Sequence, residues 1–279
     1  MKQNKLICCV LFLIVLCLIT CYYFIMCNWF IAHALGNYKG ISYTNSLEAF
    51  KQSYMMGFRK FEVDLTLTNN QEIIVFHGYH KKIYDNLNIS VNQFSYDDFI
   101  SGKVTQNMPV NITTMSLSDF IKLMRKYKKI QVMLHIHSNN DAKITEYVIQ
   151  KIIKEANSSS QILDRFSIGI NFEQELKLLN KYPILKNRHY YVRKKSKRPA
   201  HLKNIQEIIN YLNKNNIKAV SMPYKAVIAN PKEVKVLRKN GIYIYSFTQN
   251  NLHEILKMKK IGVHTIGTDG NFSWDKENL

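Results

Sequence analysis

Between residues 29 and 268 the chain alternates eight times between short extended runs and amphipathic helical ones, and few folds accept that pattern. The extended runs are WFIAH (29–33), KFEVDLTL (60–67), IQVMLHIH (130–137), FSIGIN (166–171), RHYYVR (188–193), IKAVSM (217–222), GIYIYSF (241–247) and VHTIGT (263–268). The intervening TNSLEAFKQSYMMG, SLSDFIKLMRKYKK and PKEVKVLRKNG open on a capping residue or proline and carry an apolar stripe. Strands separated by helices pair in parallel, and eight of them point to a closed barrel rather than an open sheet. The expected fold class is therefore α/β, a (β/α)8 TIM barrel. A chain of 279 residues suits one such barrel, which typically takes about 250. EIIVFH reads as an extra strand after the Asn69-Asn70 turn. The polar, tyrosine-rich stretch that follows, as far as Thr114, reads as a long loop over a site.

The first residues are a separate unit. Leu6 to Cys27 contains no charged residue, and its 22 positions at about 1.5 Å each reach roughly 33 Å, enough to cross a bilayer core. A cleaved signal peptide would have a shorter apolar region followed by small residues. A lipoprotein signal ending at Cys21 would not carry threonine before the cysteine. The expectation is an uncleaved single-pass anchor, with residues 1–27 as tail and transmembrane helix and 28–279 as the barrel. Lys2 and Lys5 favour a cytoplasmic tail, which puts the main domain outside. All five cysteines lie in the apolar segment, so the barrel has no disulfide framework, thiolate metal site or cysteine nucleophile.

The net charge is +19, with dense clusters at Lys122–Lys129 and Arg193–Arg198. Such clusters either coat a solvated face or attract polyanions, here lipid head groups or phosphate-bearing polymers. No nucleic-acid-binding module is recognisable, and a membrane anchor argues against one.

In a barrel of this kind the active site forms at the carboxyl ends of the strands. His33 ends the first, Glu62 and Asp64 alternate with Phe61, Val63 and Leu65 on the second, and His77 ends the extra strand. His135 and His137 end the third, and Asp269 follows the last. Alternation places Glu62 and Asp64 on one face, where two carboxylates make a hard anionic site. Asp269 and Tyr245 are read as shaping the mouth. His80, His189, His201, His253 and His264 are read as structural or solvated.

The spread AHALG … YTNSLEAF … GFRKFEVDLTLTNN … IIVFHG … GVHTIGTDG resembles the glycerophosphodiester phosphodiesterase family and its phosphatidylinositol-phospholipase C-like relatives, over residues 29 to 275. The family motif is a histidine-arginine pair, a Glu-x-Asp strand, a histidine-aspartate pair and a further acid on the third strand. The resemblance implies the barrel fold and hydrolysis of a phosphodiester. It also implies one divalent cation held by Glu62 and Asp64, with His33 and His77 as the acid/base pair. A phosphodiester needs its anionic oxygens neutralised, its nucleophile deprotonated and its leaving alkoxide protonated, and these residue types meet those needs. The nucleophile is either water or a neighbouring substrate hydroxyl.

Four positions depart from the motif. Ala34 stands at the arginine, Gly78 at the aspartate, and His135 at the third carboxylate. His137 stands where a basic residue helps hold phosphate, which makes it a candidate for substrate binding. Asn45, in the YTNS turn, is a second residue on the substrate side. An all-oxygen site suits magnesium or calcium, whereas His135 as a ligand shifts preference towards manganese, iron or zinc. The departures also support an alternative: a catalytically impaired, membrane-tethered barrel that binds phosphate polymers without cutting them. A glycosidase using paired acids is a weaker alternative and is set aside, because Glu62 and Asp64 lie close along one strand and the usual spacing of the two carboxyls is roughly 5–10 Å. The short connection from anchor to first strand turns the base of the barrel to the bilayer and the mouth away from it. Soluble glycerophosphodiesters or wall polymers are then the accessible substrates.

Overall fold

The computed structural model describes residues 2–77, 95–103, 105, 108–138, 141–171, 173–193 and 198–274. Gly78, His80 and positions 194–197 of the second basic cluster lie outside the described residues. Eight parallel strands close into a barrel: β1 (Phe30–Ala32), β2 (Lys60–Leu67), β3 (Gln131–His137), β4 (Phe166–Ile170), β5 (Asn187–Tyr191), β6 (Ala219–Pro223), β7 (Tyr243–Phe247) and β8 (Thr265–Thr268). The short β1 closes it, pairing with β8 (Ala32 opposite Thr268) and with β2 (Ala32 opposite Phe61). The extra strand, Ile73–Val75, folds back antiparallel on β2, with Val75 opposite Leu65.

Helices follow the strands because each has a start signal and a buried stripe. Ser116 and Asp119 form a reciprocal capping box for Leu117–Lys126, and Asn204 with Glu207 does the same for Ile205–Lys214. Their inner faces meet the outward residues of the strands. Val63 and Leu65 are fully buried there, with Phe50, Phe61 and Phe120. Truncating one of these aromatics to alanine costs about 3–5 kcal/mol.

The apolar helix Lys2–Trp29 runs into β1 with no linker, so the boundary expected after Cys27 falls within its last turn. Its outer part is bare, Phe12 being 67% and Leu18 64% exposed. The span Cys9–Trp29, with mean hydropathy 2.7, is long and apolar enough to cross a membrane. Its last turns pack on the barrel. Tyr22 donates to the Met56 carbonyl at 3.0 Å, the Arg59 guanidinium lies 5.8 Å from the Tyr23 ring centre, and Met26 is buried. Gly57, at φ +101°, lets Met26 approach; a Cβ there would meet the Met26 Cβ at 3.1 Å.

Candidate active site

The site grows from the β2–β3 ladder. Asp64 pairs with His135 and Glu62 with Met133, so alternation sends Glu62, Asp64 and His135 to the same inward face. The extra strand returns the chain to the mouth. The Phe76 N–H donates to the Asp64 carbonyl (2.9 Å) and Thr66 Oγ1 to the Phe76 carbonyl (2.6 Å), which sets His77 beside the carboxylates. On the far side, His33 opens a single turn of 3-10 helix after β1. Ala34 there is left-handed (φ 47°, ψ 42°), which aims its N–H at Glu62 Oε2, 2.8 Å away.

These elements enclose a cavity of about 800 Å³ lined by His33, Tyr43, Glu62, Asp64, His77 and His135. A wall of Tyr191, Tyr224, Tyr245 and Phe247 bounds it opposite the acids. Lys225 is the one lysine or arginine among its described lining residues. The size falls in the ordinary range for a small-molecule site, about 300–1,000 Å³.

Electrostatics differentiate the groups. His33 Nδ1 lies 2.9 Å from Asp269 Oδ1. Burial opposes the charge on His33, but that hydrogen bond and the nearby acids outweigh it and raise the imidazole to about 9. Asp269 is itself fixed by Asn250, whose Nδ2 donates to Oδ2 (3.0 Å) and whose Oδ1 accepts from the Asp269 N–H (2.9 Å). Burial, then the Asp64 charge, pushes Glu62 up to about 7. Burial would raise Asp64 as well, but hydrogen bonds from His135 and His137 hold it well below the usual carboxylate range. Enclosure works against a charge on His135, and the Asp64 hydrogen bond overcomes it and raises the ring.

Two groups of side chains have the spacing of metal ligands. The donor atoms of Glu62, Asp64 and His135 lie within 4.8 Å of one another, as do those of Asp64, His77 and His137. Only the first group lines the cavity in full. Two adjacent carboxylates and an imidazole fit a divalent cation, which would relieve the repulsion that raises Glu62.

Two residues expected at the substrate are in contact with Asp64. His137 Nε2 lies 2.8 Å from Asp64 Oδ1, and His137 does not line the cavity. Asn45 is fully buried, donating to Asp64 Oδ2 (3.0 Å) and accepting from the Asp64 N–H (3.2 Å). Both contact a buried carboxylate that needs donors, so each has a partner in Asp64. Ala34 has no exposed side chain, so that position supplies no phosphate contact.

Other contributors were not singled out from the sequence. Tyr43 stands between the histidines, its ring centre 4.4 Å from that of His33 and 6.0 Å from that of His77. Burial, with the surrounding acids, pushes its phenol up to about 12. His189, read as structural or solvated, forms part of the cavity floor. It pairs with Ser167 Oγ at 2.9 Å, and burial drives it down to about 3, so it stays neutral. Room for it comes from Gly169 on the neighbouring strand, where a Cβ would meet His189 Nε2 at 3.1 Å. The alternation of RHYYVR, which turns His189 and Tyr191 to one side, was the available signal.

The model of the glycerophosphoryl diester phosphodiesterase family matches residues 35–270. The chain belongs to that family. Its members are phosphoric diester hydrolases, and the fold agrees. A Silicibacter pomeroyi protein assigned as a glycerophosphoryl diester phosphodiesterase superposes with a TM-score of 0.70 at 16% identity, over 90% of this chain and 96% of that one. A Parabacteroides distasonis glycerophosphodiester phosphodiesterase gives 0.64 at 16% identity, over 86% and 92%. An Oleispira antarctica phosphodiesterase, solved with the product sn-glycerol-3-phosphate, gives 0.64 at 14% identity, over 88% and 95%. At these identities the likeness is one of fold. The curated proteins give no significant sequence match. The matched span takes in Glu62, Asp64 and His77 and begins two residues after His33.

Proposed function

We propose that the protein hydrolyses a small phosphodiester, with His33 as general acid, His77 as general base, and a divalent cation on Glu62, Asp64 and His135. The observation that carries this reading is the opening of His33, Glu62, Asp64 and His77 into one cavity. Asp269 holds the Nδ1 proton of His33, which leaves Nε2–H to protonate the departing alkoxide. A raised pKa keeps that proton in place at neutral pH. His77, across the Tyr43 ring, takes the proton of the attacking hydroxyl, whether of water or of a neighbouring group on the substrate. When bound, the cation neutralises the anionic phosphate oxygens. Magnesium or calcium suits the two carboxylates, and His135 adds manganese or zinc to the candidates. Lys225 offers the phosphate a cation in the absence of arginine at position 34.

The substrate class is a glycerophosphodiester or a phosphate-linked polymer, in keeping with the glycerol phosphate held by the Oleispira relative. The apolar helix anchors the chain in a membrane, with the barrel on the extracytoplasmic side. It meets the barrel at the base, opposite the cavity, so the mouth turns away from the bilayer. A second reading, the impaired barrel that binds phosphate polymers, is favoured by the buried Ala34.

The test is hydrolysis by the detergent-purified full chain, chelated and then supplied with each ion in turn, beside His77→Ala. Metal-restored turnover that the variant loses supports the enzyme. Metal binding without turnover, on glycerophosphodiesters and phosphate polymers alike, moves the assignment to the second reading.

A further inference from the structure

A second cavity, of about 350 Å³, lies at the opposite end of the barrel. Its wall includes Lys60, Gln131, Phe166, Asn187, Ala219 and Tyr243, each of them the first residue of its strand, so it belongs to the base. Five of its lining residues are basic (Lys60, Arg165, Lys186, Arg188, Lys218) and one, Asp164, is acidic.

The charge there is largely without counter-charge. Arg165 donates to the carbonyls of Gln161, Tyr127 and Met124, and Arg188 to those of Leu185 and Leu179 and to Asn180 Oδ1. Lys60 donates to the Asn28 carbonyl and to the hydroxyls of Tyr243 and Thr265. Every one of these acceptors is neutral. Lys186 alone pairs with the acid, at 3.1 Å on an exposed edge. Basic residues in last helical turns, such as Arg125, Lys126, Lys259 and Lys260, answer the helix dipole. That account does not extend to Lys60, Lys186, Arg188 and Lys218, which lie in strands or in the turns leading into them.

The cavity also has a defined neighbour. Asn28, whose carbonyl holds Lys60, is in the last turn of the apolar helix, and the Trp29 ring lies 4.8 Å from Lys259 Nζ. Tyr22, Tyr23 and Trp29 mark this end of the span with the amphipathic aromatics that settle at head-group level. A basic pocket at that depth faces the phosphate layer of an anionic leaflet.

We propose that this basal cavity seats the phosphate of an anionic phospholipid head group from the leaflet in which the helix is anchored. The site opens at the other end of the barrel from the catalytic cavity, the two sharing the inner residues Ile31, Met133 and Tyr245, and the inference rests on the membrane reading given above. The ligand chemistry is a phosphate anion; the position beside the helix selects the lipid over free phosphate.

The experiment uses the full chain in neutral-detergent micelles doped with phosphatidylglycerol or phosphatidylcholine, with retained lipid counted by native mass spectrometry. Phosphatidylglycerol should be retained about tenfold more, and Lys186→Gln with Lys218→Gln should remove most of that excess. Both lysines are exposed and outside the catalytic cavity, so the lipid-free melting temperature should not move. A Lys232→Gln, Lys235→Gln control, on the helix Pro231–Lys239, should retain lipid as the parent does. Equal retention of the two lipids, or an unaffected basal variant, overturns the site. Displacement of the lipid by inorganic phosphate at equal concentration overturns the choice of lipid. Flotation with neutral vesicles tests the anchor by itself. If the chain does not float, the membrane reading fails; if it floats and retention is equal, only the basal site fails.

Discussion

His33 and Asp269 are 236 positions apart, yet their side chains meet at 2.9 Å and form the one ion pair among the described residues that joins the two ends of the strand order. The carboxylate fixes which nitrogen of the imidazole faces the cavity and keeps the ring charged at neutral pH. His33→Ala should lower kcat by about 10²–10⁴-fold, the ordinary contribution of a general acid.

Asp269→Asn should act through the proton. Because the folded His33 pKa, about 9, lies above its ordinary value near 6.5, stability from this pair is complete below pH 6.5 and lost as pH rises through 9. In the asparagine variant the His33 titration, followed by NMR in the metal-free protein, should move to lower pH. The alkaline limb of the activity profile should move with it. An unmoved titration would remove Asp269 from its positioning role.

Metal binding should release a proton on the acid side. Glu62 is raised to about 7, so at pH 6 an incoming cation displaces its proton, whereas at pH 8 it does not. Calorimetry in buffers of different ionisation enthalpy should therefore show release of the Glu62 proton fading as pH rises through 7, while the proton of His135, whose pKa is raised above the ordinary imidazole value, is released to higher pH. His135→Asp should increase the preference for magnesium or calcium over zinc by restoring an all-oxygen donor set.

Asn45→Ala should separate positioning from binding. It leaves the Asp64 N–H and one carboxylate oxygen without their buried partner, at a cost of about 1–3 kcal/mol in denaturant unfolding. Turnover should fall while KM holds. A rise in KM with kcat unchanged would return Asn45 to the substrate side.

Lys225→Ala should show the opposite split. The side chain is exposed and lines the cavity, so removal should raise KM about tenfold with stability unchanged.

The barrel was legible because its signals are local. In KFEVDLTL every second residue is apolar, and the strand occupies Lys60–Leu67. Caps such as Ser116 bound the helices as residue type and spacing suggested. The same alternation put Glu62, Asp64 and His135 on one face. What alternation cannot say is which neighbour claims a given carboxylate oxygen. That His137 and Asn45 both reach Asp64 is seen only in the folded chain. The Asp269–His33 contact depends on barrel closure, which brings β8 to β1. His189 was passed over because an isolated histidine in a strand gives no sign that Gly169 has cleared a place for it.

The helix passes from Trp29 into Phe30 of the first strand with no residue between them. If the helix is held upright in a membrane, the catalytic opening stands at a height set by strands such as the eight-residue β2, about 26 Å long and, tilted by about 36°, about 21 Å tall. On the proposed membrane reading such a protein would work as a gauge of reach: a phosphodiester held flat in the same leaflet would fall short of it, and one carried on a chain long enough to stand clear of the surface would be presented at the level of the histidines.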